Sequence, residues 1–378
     1  MKIQIDGTNT LNKGAELMLY AILEEIENKF PNASINYNSN YPGEKKLIIK
    51  SSLAIKKRFA LQYGRYPKAI LRRLNLPYTY FMAKHPLKNI DIVLDGAGFQ
   101  FSDQWNYSSE DLYILEKYYK NLRKRGTKII FLPQAFGPFE TLEGKKSIEI
   151  ISKYADLIIA REKVSYQHLL EAGGNKNKIW TYSDFTLSVK GNLPVQYEGI
   201  KGQVCIIPNQ KMVTHAQNDS LEYISFIEKL INNIEKKGKK IFLLNHEGIG
   251  DLDICNKINN RFDNKLKVIS GLDAKQVKGV IGASFLVISS RFHGVASALN
   301  QGVPCLATSW NHKYEMLFED FNQYNRILEV RNDEHIEFSK IDDVFGDYEN
   351  IQRVLIERKY KLSKELSEMW NKIWALIE

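Results

Sequence analysis

The stretch at residues 284–314, SFLVISSRFHGVASALNQGVPCLATSWNHKY, constrains the fold more than any other part of the chain. Residues 285–288 form an apolar run of strand length, and the polar residues 289–293 follow it. Residues 294–300 are small and apolar at helical spacing, and a Gly-Val-Pro sequence ends that helix before another apolar run at 304–308. This succession of strand, helix and strand predicts a parallel α/β sheet.

Arg291 and His293 lie between the end of the predicted strand and the start of the predicted helix. In open α/β sheets, ligands bind beyond the carboxyl ends of strands, close to helix N-termini. Backbone N–H groups there favour an anion, and an arginine adds a bidentate contact for a carboxylate or a phosphate. A histidine two residues later can carry a proton near neutral pH. The pattern favours a ligand site, with a turn-capping histidine and an arginine paired to a surface acid as the alternative.

The same alternation of strands and helices recurs in both halves of the chain. A chain of 378 residues also exceeds what one hydrophobic core usually holds, so two domains are expected. We predict an α/β fold with two Rossmann-like parallel-sheet domains that face a cleft, at 1–190 and 203–345, joined by a turn-rich segment at 189–202. Apolar residues at helical spacing in 346–378 predict a final helix that packs back across both domains.

Small and polar residues after two other predicted strands are weaker candidates for ligand contact. Asn12 lies in the polar loop after the strand at 2–6, and Gly14 opens the next helix. Such a loop suits an anion or a sugar, although a plain strand-to-helix turn has the same pattern. Gly96 follows the strand at 90–94, where a glycine lets a ligand or a neighbouring loop approach the backbone closely.

Four further side chains near strand ends are candidates. Asp103 and Trp105 follow Gly96 in a loop, where the indole ring offers a platform for a sugar or is simply packed. Arg161 follows a strand and is a second candidate for binding an anion, although an ion pair at the start of a helix is the commoner role. His246 also follows a strand and is a candidate ligand contact, with a hydrogen-bonded loop histidine as the alternative.

The positive charge of the chain is concentrated in the segment 45–88. The net charge of the whole chain is +9, whereas this segment alone has twelve Lys or Arg and no Asp or Glu, interleaved with apolar and aromatic residues. Basic amphipathic segments bind anionic bilayer surfaces, and a nucleic-acid surface or a solvated basic face has a similar composition. We predict docking on an anionic membrane surface and no nucleic-acid partner.

Other features of the sequence fit a cytoplasmic protein, which would be peripheral on the inner face of the plasma membrane if 45–88 docks there. The N-terminus has no apolar segment typical of a signal peptide, and no run of about 18 apolar residues is present to span a membrane. Three widely spaced cysteines at 205, 255 and 305 predict reduced core residues. No CxxC or HExxH sequence occurs, so no metal site is expected.

An ordered set of short blocks makes the sequence resemble the polysaccharide pyruvyl transferase family. The main block has the family's Ser-x-Arg-hydrophobic-His-Gly turn, a helix, a Gly-x-Pro and an aromatic-x-x-Lys sequence that ends at Lys313. Weaker blocks follow in the family's order, namely LNKGAELML, DGAGFQF, PQAFGPF, ARE with Ser165, and YSDFTL. The chain departs from the family where the usual triple glycine is Gly-Ala-Gly at 96–98 and where an aspartate is absent near LNKGAE.

The resemblance implies a GT-B-like fold and transfer of a pyruvyl group from phosphoenolpyruvate to two hydroxyls of one sugar, which forms a cyclic ketal. Phosphoenolpyruvate carries a carboxylate and a phosphate, so it needs cations, and Arg291 is expected to be the main one. The expected phosphoenolpyruvate contacts are Arg291, Lys313, Arg161, Ser290 and His246. His293 is expected to deliver or remove the protons of the reaction. Phosphoenolpyruvate is a co-substrate, and no cofactor or metal is expected.

The resemblance also implies an acceptor from the cell envelope and a role in surface polysaccharide biosynthesis, of a capsule or an exopolysaccharide. We expect a sugar linked to polyprenyl diphosphate, which would explain the basic and aromatic segment 45–88. The expected acceptor contacts, assigned to the N-terminal domain, are Asn12, Gly14, Gly96, Asp103 and Trp105.

Two other functions stay open at this point. The first is a nucleotide-sugar glycosyltransferase of the same fold, but such enzymes commonly hold the ribose with a glutamate in the helix after the glycine-rich turn, and GVASALNQG has no acid. The second is a non-catalytic adaptor that binds a polysaccharide or a membrane. Retention of both Arg291 and His293 argues against the adaptor.

Overall fold

The computed structural model describes residues 1–39, 54–59, 90–214, 220–308, 313–330 and 338–377. These residues form two compact units, each built on a parallel sheet with helices, so the predicted pair of Rossmann-like domains is confirmed. Unit 1 consists of Met1–Thr10, Met18–Thr186 and Leu366–Glu378. Unit 2 consists of Leu11–Leu17 and Leu187–Glu365.

Unit 1 has a seven-stranded sheet in which every pair of neighbours is parallel. Its strands are β1 (Lys2–Asp6), β2 (Ser34–Ser39), β3 (Ala54–Phe59), β4 (Ile92–Asp95), β5 (Lys128–Gln134), β6 (Leu157–Ala160) and β7 (Ile179–Thr181). The order across the sheet is β3-β2-β1-β4-β5-β6-β7. The chain therefore winds in one direction from β1 and then returns to start β4 on its other side. The switch point of the sheet therefore lies between β1 and β4, and ligands usually bind outside the carboxyl ends of the strands there.

The helices of unit 1 start at side-chain caps and pack on strands that are apolar on both faces. These helices are α1 (Lys13–Lys29), α2 (Ser109–Arg123), α3 (Leu142–Tyr154) and α4 (Lys163–Glu171). Ser108 and Asp111 form a reciprocal capping box at the start of α2, which satisfies N–H groups that the helix itself leaves open. All four residues of β4 and of β6 are buried, as expected for a parallel sheet covered on both sides.

Most of the basic segment 45–88 lies outside the described residues. Its residues 54–59 form β3, an edge strand paired with β2, so this part is extended and is not an amphipathic helix. The predicted membrane docking of the segment is untouched by this observation and stays a prediction. Within the described ranges, every helix is too short or too polar to cross a bilayer.

Unit 2 has a six-stranded parallel sheet. Its strands are β8 (Val204–Ile207), β9 (Ile241–Leu244), β10 (Lys267–Ile269), β11 (Leu286–Ser289), β12 (Cys305–Thr308) and β13 (Ile327–Leu328). The order is β10-β9-β8-β11-β12-β13, so the switch point lies between β8 and β11. All residues of β8, β9, β11 and β12 are buried, and the three cysteines are free and buried in this unit.

The helices of unit 2 follow its strands in the usual alternation. They are α5 (Lys211–Thr214), α6 (Ser220–Lys236), α7 (Gly248–Asn260), α8 (Ala274–Gly282), α9 (Phe292–Asn300), α10 (Lys313–Asp320) and α11 (Ser339–Gly346). The small residues of α9 allow close packing, because a Cβ atom on Gly294 would lie 2.4 Å from Oγ of Ser289. The helix predicted at 294–300 is thus present and begins two residues earlier.

The turn-rich segment predicted as a linker packs on unit 2. The backbone N–H of Asn192 donates to the carbonyl of Lys275 at 2.8 Å, and that of Gly202 donates to the carbonyl of Ala283 at 3.0 Å. A 3-10 helix occupies Val195–Ile200. The segment lacked a clear period because it is ordered by contacts with α8, which a local pattern does not reveal.

The last helix, α12 (Tyr348–Ala375), is shared between the units, with residues from Leu366 onward in unit 1. In unit 1 its indole rings Trp370 and Trp374 stack on each other at 5.2 Å, and Trp374 meets Phe30 edge to face at 5.3 Å. The apolar stripe read from the sequence is therefore buried.

Candidate functional site

Arg291 and His293 lie at the carboxyl end of β11, beside the switch point of the six-stranded sheet. Arg291 is the residue that precedes the first turn of α9, and His293 is within that turn. The Oγ atom of Ser289 accepts a hydrogen bond from the backbone N–H of Arg291 at 3.0 Å, which fixes the tight bend after the strand. The strand-to-helix transition predicted for this pair is therefore present.

The guanidinium of Arg291 contacts two carboxylates from the start of α7. Its Nε donates to Oδ2 of Asp251 at 2.8 Å, and Nη2 donates to Oδ1 at 2.6 Å. Its Nη1 donates to Oε2 of Glu247. The Arg291 side chain is 13% exposed, whereas that of Asp251 is fully buried. Burial lowers the pKa of Arg291, but the hydrogen bonds and charge of Asp251, followed by the charge of Glu247, raise it above its ordinary value.

These two carboxylates are residues of the candidate site that the sequence analysis did not identify. Glu247 directly follows His246 after β9, and Asp251 lies one helical turn later on α7. The alternative interpretation of Arg291 was a pair with a surface acid, and the observed partners are the fully buried Asp251 and the partly exposed Glu247. The available signal was two acids four residues apart after a buried strand, since such residues share one face of a helix.

His293 packs against the first turn of α1, in the part of that helix that belongs to unit 2. A Cβ atom on Gly14 would lie only 2.1 Å from Nδ1 of His293, so the ring fits there because residue 14 has no side chain. Oδ1 of Asn12 accepts from the backbone N–H groups of Gly14 and Ala15 at 2.8 and 3.1 Å, which caps the helix. The imidazole is therefore held at a capped helix N-terminus.

Asn12 joins the environment of His293 to that of Arg291. Its Nδ2 donates to Oε1 of Glu247 at 2.8 Å, and Oε2 of the same carboxylate accepts from Arg291. These contacts make one continuous cluster, which we call the Arg291 cluster and which consists of Arg291, Asp251, Glu247, Asn12, Gly14 and His293. Asn12 and Gly14 were assigned to the N-terminal domain as acceptor contacts, whereas contacts group residues 11–17 with unit 2.

His246 is buried beside the Arg291 cluster, with 4% of its surface exposed. Burial, and then the positive charges of Arg291, His293 and Lys13, hold the pKa of His246 well below its ordinary value. Its Nδ1 makes no hydrogen bond with any described residue. A neutral imidazole here can accept or donate one hydrogen bond to a ligand without adding charge.

Ser290 is hydrogen-bonded in the core of unit 2, and Lys313 lies near the start of α9. The hydroxyl of Ser290 lies between Tyr223, whose OH is 2.6 Å away, and Thr308, and its carbonyl accepts from Tyr314 at 3.0 Å. These buried bonds favour a structural role for Ser290. Lys313 begins α10, and its Nζ lies 5.8 Å from the ring centroids of both Phe292 and Tyr314, so its charge is near the start of α9.

The other sequence candidates are in unit 1. Arg161 is buried and its Nη1 is 3.4 Å from Oδ2 of Asp184, the ion pair that was the commoner expectation. Gly96 follows β4, where a Cβ atom would lie 2.5 Å from Cδ1 of Ile22, so its role is close packing. Trp105 is 49% exposed and its ring tilts against Phe99 at 5.9 Å.

Asp103 organises the loop before α3. It accepts hydrogen bonds from the hydroxyl of Thr141 at 2.6 Å and from the backbone N–H groups of Thr141 and Glu140. Slight burial raises the pKa of Asp103, but these hydrogen bonds outweigh it and leave the pKa below its ordinary value. Asp103 also lines a small open pocket, whose walls are Ser102, Asp103, Asn106, Tyr107, Thr141, Glu143 and Gly144.

A buried pair of acids at the switch point of unit 1 was also missed. Asp6 and Asp95 are register partners at the carboxyl ends of β1 and β4, and they are 8% and 2% exposed. Tyr118 and Gln4 both donate to Asp6, the amide of Gln4 at 2.8 Å. Burial, followed by the charge of Asp6, raises the pKa of Asp95 to about 7, and a hydrogen bond from the N–H of Ala97 offsets part of this rise.

Among the described residues, no group of three or more His, Cys, Asp or Glu side chains is arranged to hold a metal ion. The Arg291 cluster contains an arginine, a histidine, an amide and two carboxylates, and His246 lies beside it. This set of groups suits an anionic ligand and proton transfer.

Comparison with protein families identifies one match over most of the chain. Residues 12–312 match the family described as polysaccharide pyruvyl transferase. This range contains the Arg291 cluster and most of both units. None of the curated proteins searched matches the sequence.

Several solved structures share the fold at low sequence identity. HepE from Anabaena, in complex with UDP and glucose, is 12% identical with a TM-score of 0.59, covering 100% of this chain and 99% of that one. A glycosyltransferase from Rickettsia africae is 12% identical with a TM-score of 0.58, covering 100% and 97%. A UDP-N-acetylglucosamine 2-epimerase from Listeria monocytogenes is 13% identical with a TM-score of 0.57, covering 95% and 90%. These similarities concern the fold.

Proposed function

The chain belongs to the polysaccharide pyruvyl transferase family, and we propose that it transfers the pyruvyl group of phosphoenolpyruvate to two hydroxyls of one sugar, forming a cyclic ketal. One observation carries the proposal. Arg291 and His293 follow β11 at the switch point of its sheet and belong to one cluster of charged and polar side chains. A guanidinium and an imidazole in that setting suit an anionic substrate whose reaction moves protons.

In the proposed reaction, C2 of phosphoenolpyruvate loses its bond to the phosphate oxygen and the π bond to its methylene carbon, and it gains bonds to two sugar oxygens. A proton added to the methylene carbon makes it a methyl group and leaves C2 electrophilic, so that one hydroxyl attacks there. The second hydroxyl displaces the phosphate, which leaves as inorganic phosphate. Of the two hydroxyl protons, one balances the proton gained by the methyl group and the other leaves with phosphate, so the reaction needs no oxidant or reductant.

Arg291 is the proposed anion contact. A guanidinium has five N–H groups, and contacts with described residues use three of them, which leaves one on Nη1 and one on Nη2 for a carboxylate or a phosphate. Lys313, at the start of α10, is the proposed second cation. His246 is retained as a neutral contact near the bound anion because burial keeps it uncharged.

His293 is the proposed catalytic residue for proton transfer. The ring of His293 is held against Gly14. His293 is two residues after Arg291 at the start of α9, so a substrate on Arg291 would lie near the imidazole. General acid–base groups typically contribute about 10²–10⁴ in rate. A His293→Ala variant is therefore expected to lose pyruvyl transfer on that scale while it still binds phosphoenolpyruvate.

For the acceptor, we propose a saccharide linked to polyprenyl diphosphate. The exposed indole of Trp105 and the pocket beside Asp103 support an acceptor contact in unit 1, because aromatic faces and carboxylates commonly contact sugars. The basic composition of 45–88 supports peripheral attachment to an anionic, cytoplasmic membrane surface where such acceptors are found. Surface polysaccharide biosynthesis is the corresponding process.

The experiment that tests the proposal incubates the purified protein with phosphoenolpyruvate and a panel of lipid-linked saccharides. Release of inorganic phosphate and the mass gain of one pyruvyl ketal are followed together. The wild type is expected to give both signals and His293→Ala neither, with His168→Ala as the matched histidine control in unit 1. Transfer from nucleotide sugars without any signal from phosphoenolpyruvate would instead support a glycosyltransferase. Binding of saccharides without turnover of either donor would support an adaptor.

A further inference from the structure

The two carboxylates of the Arg291 cluster hold the guanidinium in different ways. Asp251 is fully buried, contacts two nitrogen atoms of Arg291, and also accepts from the backbone N–H of Gln210 at 3.0 Å. Glu247 contacts only Nη1, and its side chain is 26% exposed. A buried carboxylate that loses its partner carries a large desolvation penalty, whereas a partly exposed one is rehydrated. Of the two, only Glu247 can leave Arg291 at low cost.

The carboxylate of Glu247 also has an alternative partner, the backbone N–H groups at the start of α7. Glu247 is the residue that caps α7, yet its side chain makes no capping hydrogen bond because its carboxylate is used by Arg291 and Asn12. The first N–H groups of a helix favour a nearby carboxylate. Gly248, the next residue, has a φ of +64°, which sets Glu247 apart from the regular helix. A carboxylate released from Arg291 therefore has an alternative partner within its own helix.

The net charge of Arg291 and its two carboxylate partners sets how strongly an incoming anion is attracted. With Asp251 and Glu247 in place, one guanidinium faces two carboxylates, so the positive charge offered to a ligand is already neutralised. When one carboxylate moves away, the local charge rises from −1 to zero, and an incoming anion meets less repulsion at the guanidinium. Since Asp251 is buried and doubly bonded, the movement falls to Glu247.

We propose that Glu247 is a displaceable carboxylate, which occupies the Nη1 side of Arg291 until a carboxylate or phosphate group of the substrate replaces it, while Asp251 remains as the positioning residue of the guanidinium. This inference rests on the proposed function, since phosphoenolpyruvate supplies the anionic group. Displacement also breaks the bond between Glu247 and Nδ2 of Asn12, so that this amide is released toward the incoming anion while Oδ1 continues to cap α1.

Calorimetric titration of phosphoenolpyruvate into the purified protein tests the displacement. Glu247→Gln removes the competing charge but keeps the size of the side chain, so phosphoenolpyruvate should bind more tightly, by roughly three- to tenfold. The matched control is Glu228→Gln, which removes a carboxylate that is 2.9 Å from Arg261 and 32% exposed in the same unit. This control should bind like the wild type.

The outcomes separate the inference from the proposed function. If the wild type binds phosphoenolpyruvate and Glu247→Gln binds it equally or less tightly, the displacement is wrong and the proposed function stands. If neither the wild type nor Glu247→Gln binds it, both are wrong. Asp251→Asn should weaken binding on the order of tenfold. Its control is Asp156→Asn in unit 1, because both carboxylate oxygens of Asp156 accept from Nη1 of Arg123.

An NMR measurement on the wild-type protein tests the role of Asp251 and does not depend on whether a variant folds. The Nε–H of Arg291 donates to buried Asp251, so its NMR signal should be protected from solvent exchange both before and after phosphoenolpyruvate is added. The signal of Nη1 should change on binding, because its partner is replaced. Loss of protection at Nε in the complex would show that Asp251 also leaves and would overturn the assignment of a fixed positioning residue.

Discussion

The guanidinium of Arg291 and the carboxylate of Asp251 form two parallel hydrogen bonds, Nε to Oδ2 at 2.8 Å and Nη2 to Oδ1 at 2.6 Å. Because Asp251 is fully buried on α7, this pair ties the bend after β11 to a different helix of the same unit. The direction of the guanidinium is therefore set by the core and not by solvent.

Arg291→Lys should abolish tight binding of phosphoenolpyruvate while the protein stays folded. A lysine cannot make the two parallel bonds to Asp251 and presents its charge at one point, so the affinity should fall by about tenfold or more. Calorimetric titration measures it. Arg123→Lys is the control in unit 1, since Nη1 of Arg123 donates to both carboxylate oxygens of Asp156. Equal affinities for wild type and Arg291→Lys would remove Arg291 from the anion site.

Gly14→Ala should displace the ring of His293. Alanine normally stabilises a helix relative to glycine by about 1 kcal/mol, but here its Cβ would lie 2.1 Å from Nδ1. The variant should therefore melt at a lower temperature and lose pyruvyl transfer. The helical control Gly346→Ala has open space at that position and should not lose either. A Gly14→Ala protein with unchanged melting temperature and activity would argue that the imidazole does not need this contact.

Asp95→Asn should stabilise the protein more at high pH than at low pH. The pKa of Asp95 rises from 3.8 to about 7 on folding, so between these values the folded state holds a proton that the unfolded chain has lost. Wild-type stability from this group is thus lost as the pH rises toward 7, and asparagine removes the loss. The difference in unfolding free energy between variant and wild type should grow by roughly 2–3 kcal/mol from pH 5 to pH 8. Denaturant titrations measure it.

The control for this prediction is Asp253→Asn, a surface carboxylate paired with Lys257 and 54% exposed. Its difference from the wild type should change little over the same pH range, because exposed ion pairs contribute little to stability. A flat difference for Asp95→Asn as well would mean that Asp95 ionises normally despite its burial.

His246 should stay neutral in the folded protein at mildly acidic pH. Burial and three positive neighbours lower its pKa, so below pH 6.5 the unfolded chain binds a proton that the folded state does not. The stability linked to neutral His246 is therefore present above pH 6.5 and lost as the pH falls. In an NMR titration its imidazole signals should not shift between pH 8 and pH 5.5. A titration with a midpoint in this range would contradict the buried, neutral state.

Reversing four charges in the segment 45–88 should release the protein from anionic vesicles. Each basic group near such a surface contributes about 1 kcal/mol, so replacing Lys56, Lys57, Arg72 and Arg73 with Glu should abolish flotation. The matched control replaces four exposed basic residues of unit 1, Lys124, Arg125, Lys145 and Lys146, with Glu, which changes the net charge equally. Equal flotation of both variants would show that the segment is not a specific docking surface.

The fold could be predicted from the sequence because the patterns that indicate its strands and helices are local. Buried strands such as β8, β9 and β11 are continuous apolar runs, and glycine or polar residues mark their ends. The bend with Arg291 and His293 was found for the same reason, since residues after a strand end are positioned by the sheet. The turn-rich segment at 189–202 gave no such signal because its order comes from contacts with α8.

The side chains that contact Arg291 and His293 were harder to predict from the sequence, because they are distant along the chain and come together only in the folded structure. Asp251 is 40 residues from Arg291, and Asn12 is 235 residues from Glu247. No local pattern links such positions. The assignment of Asn12 and Gly14 to the N-terminal domain followed chain order, whereas the first turn of α1 packs with unit 2. Asp6 and Asp95 were passed over for a similar reason, since strand register alone makes them neighbours.

The most direct test of the account is a transfer experiment with phosphoenolpyruvate labelled with ¹³C at C2 and a membrane extract that contains lipid-linked saccharides. Carbon NMR of the saccharide fraction should show a new ketal carbon with wild-type protein, together with one inorganic phosphate released per ketal. His293→Ala and Arg291→Lys should give neither signal, whereas His168→Ala and Arg123→Lys should give both. A ketal signal of undiminished size from His293→Ala and Arg291→Lys would contradict the assignment of the Arg291 cluster as the place where the pyruvyl group is transferred.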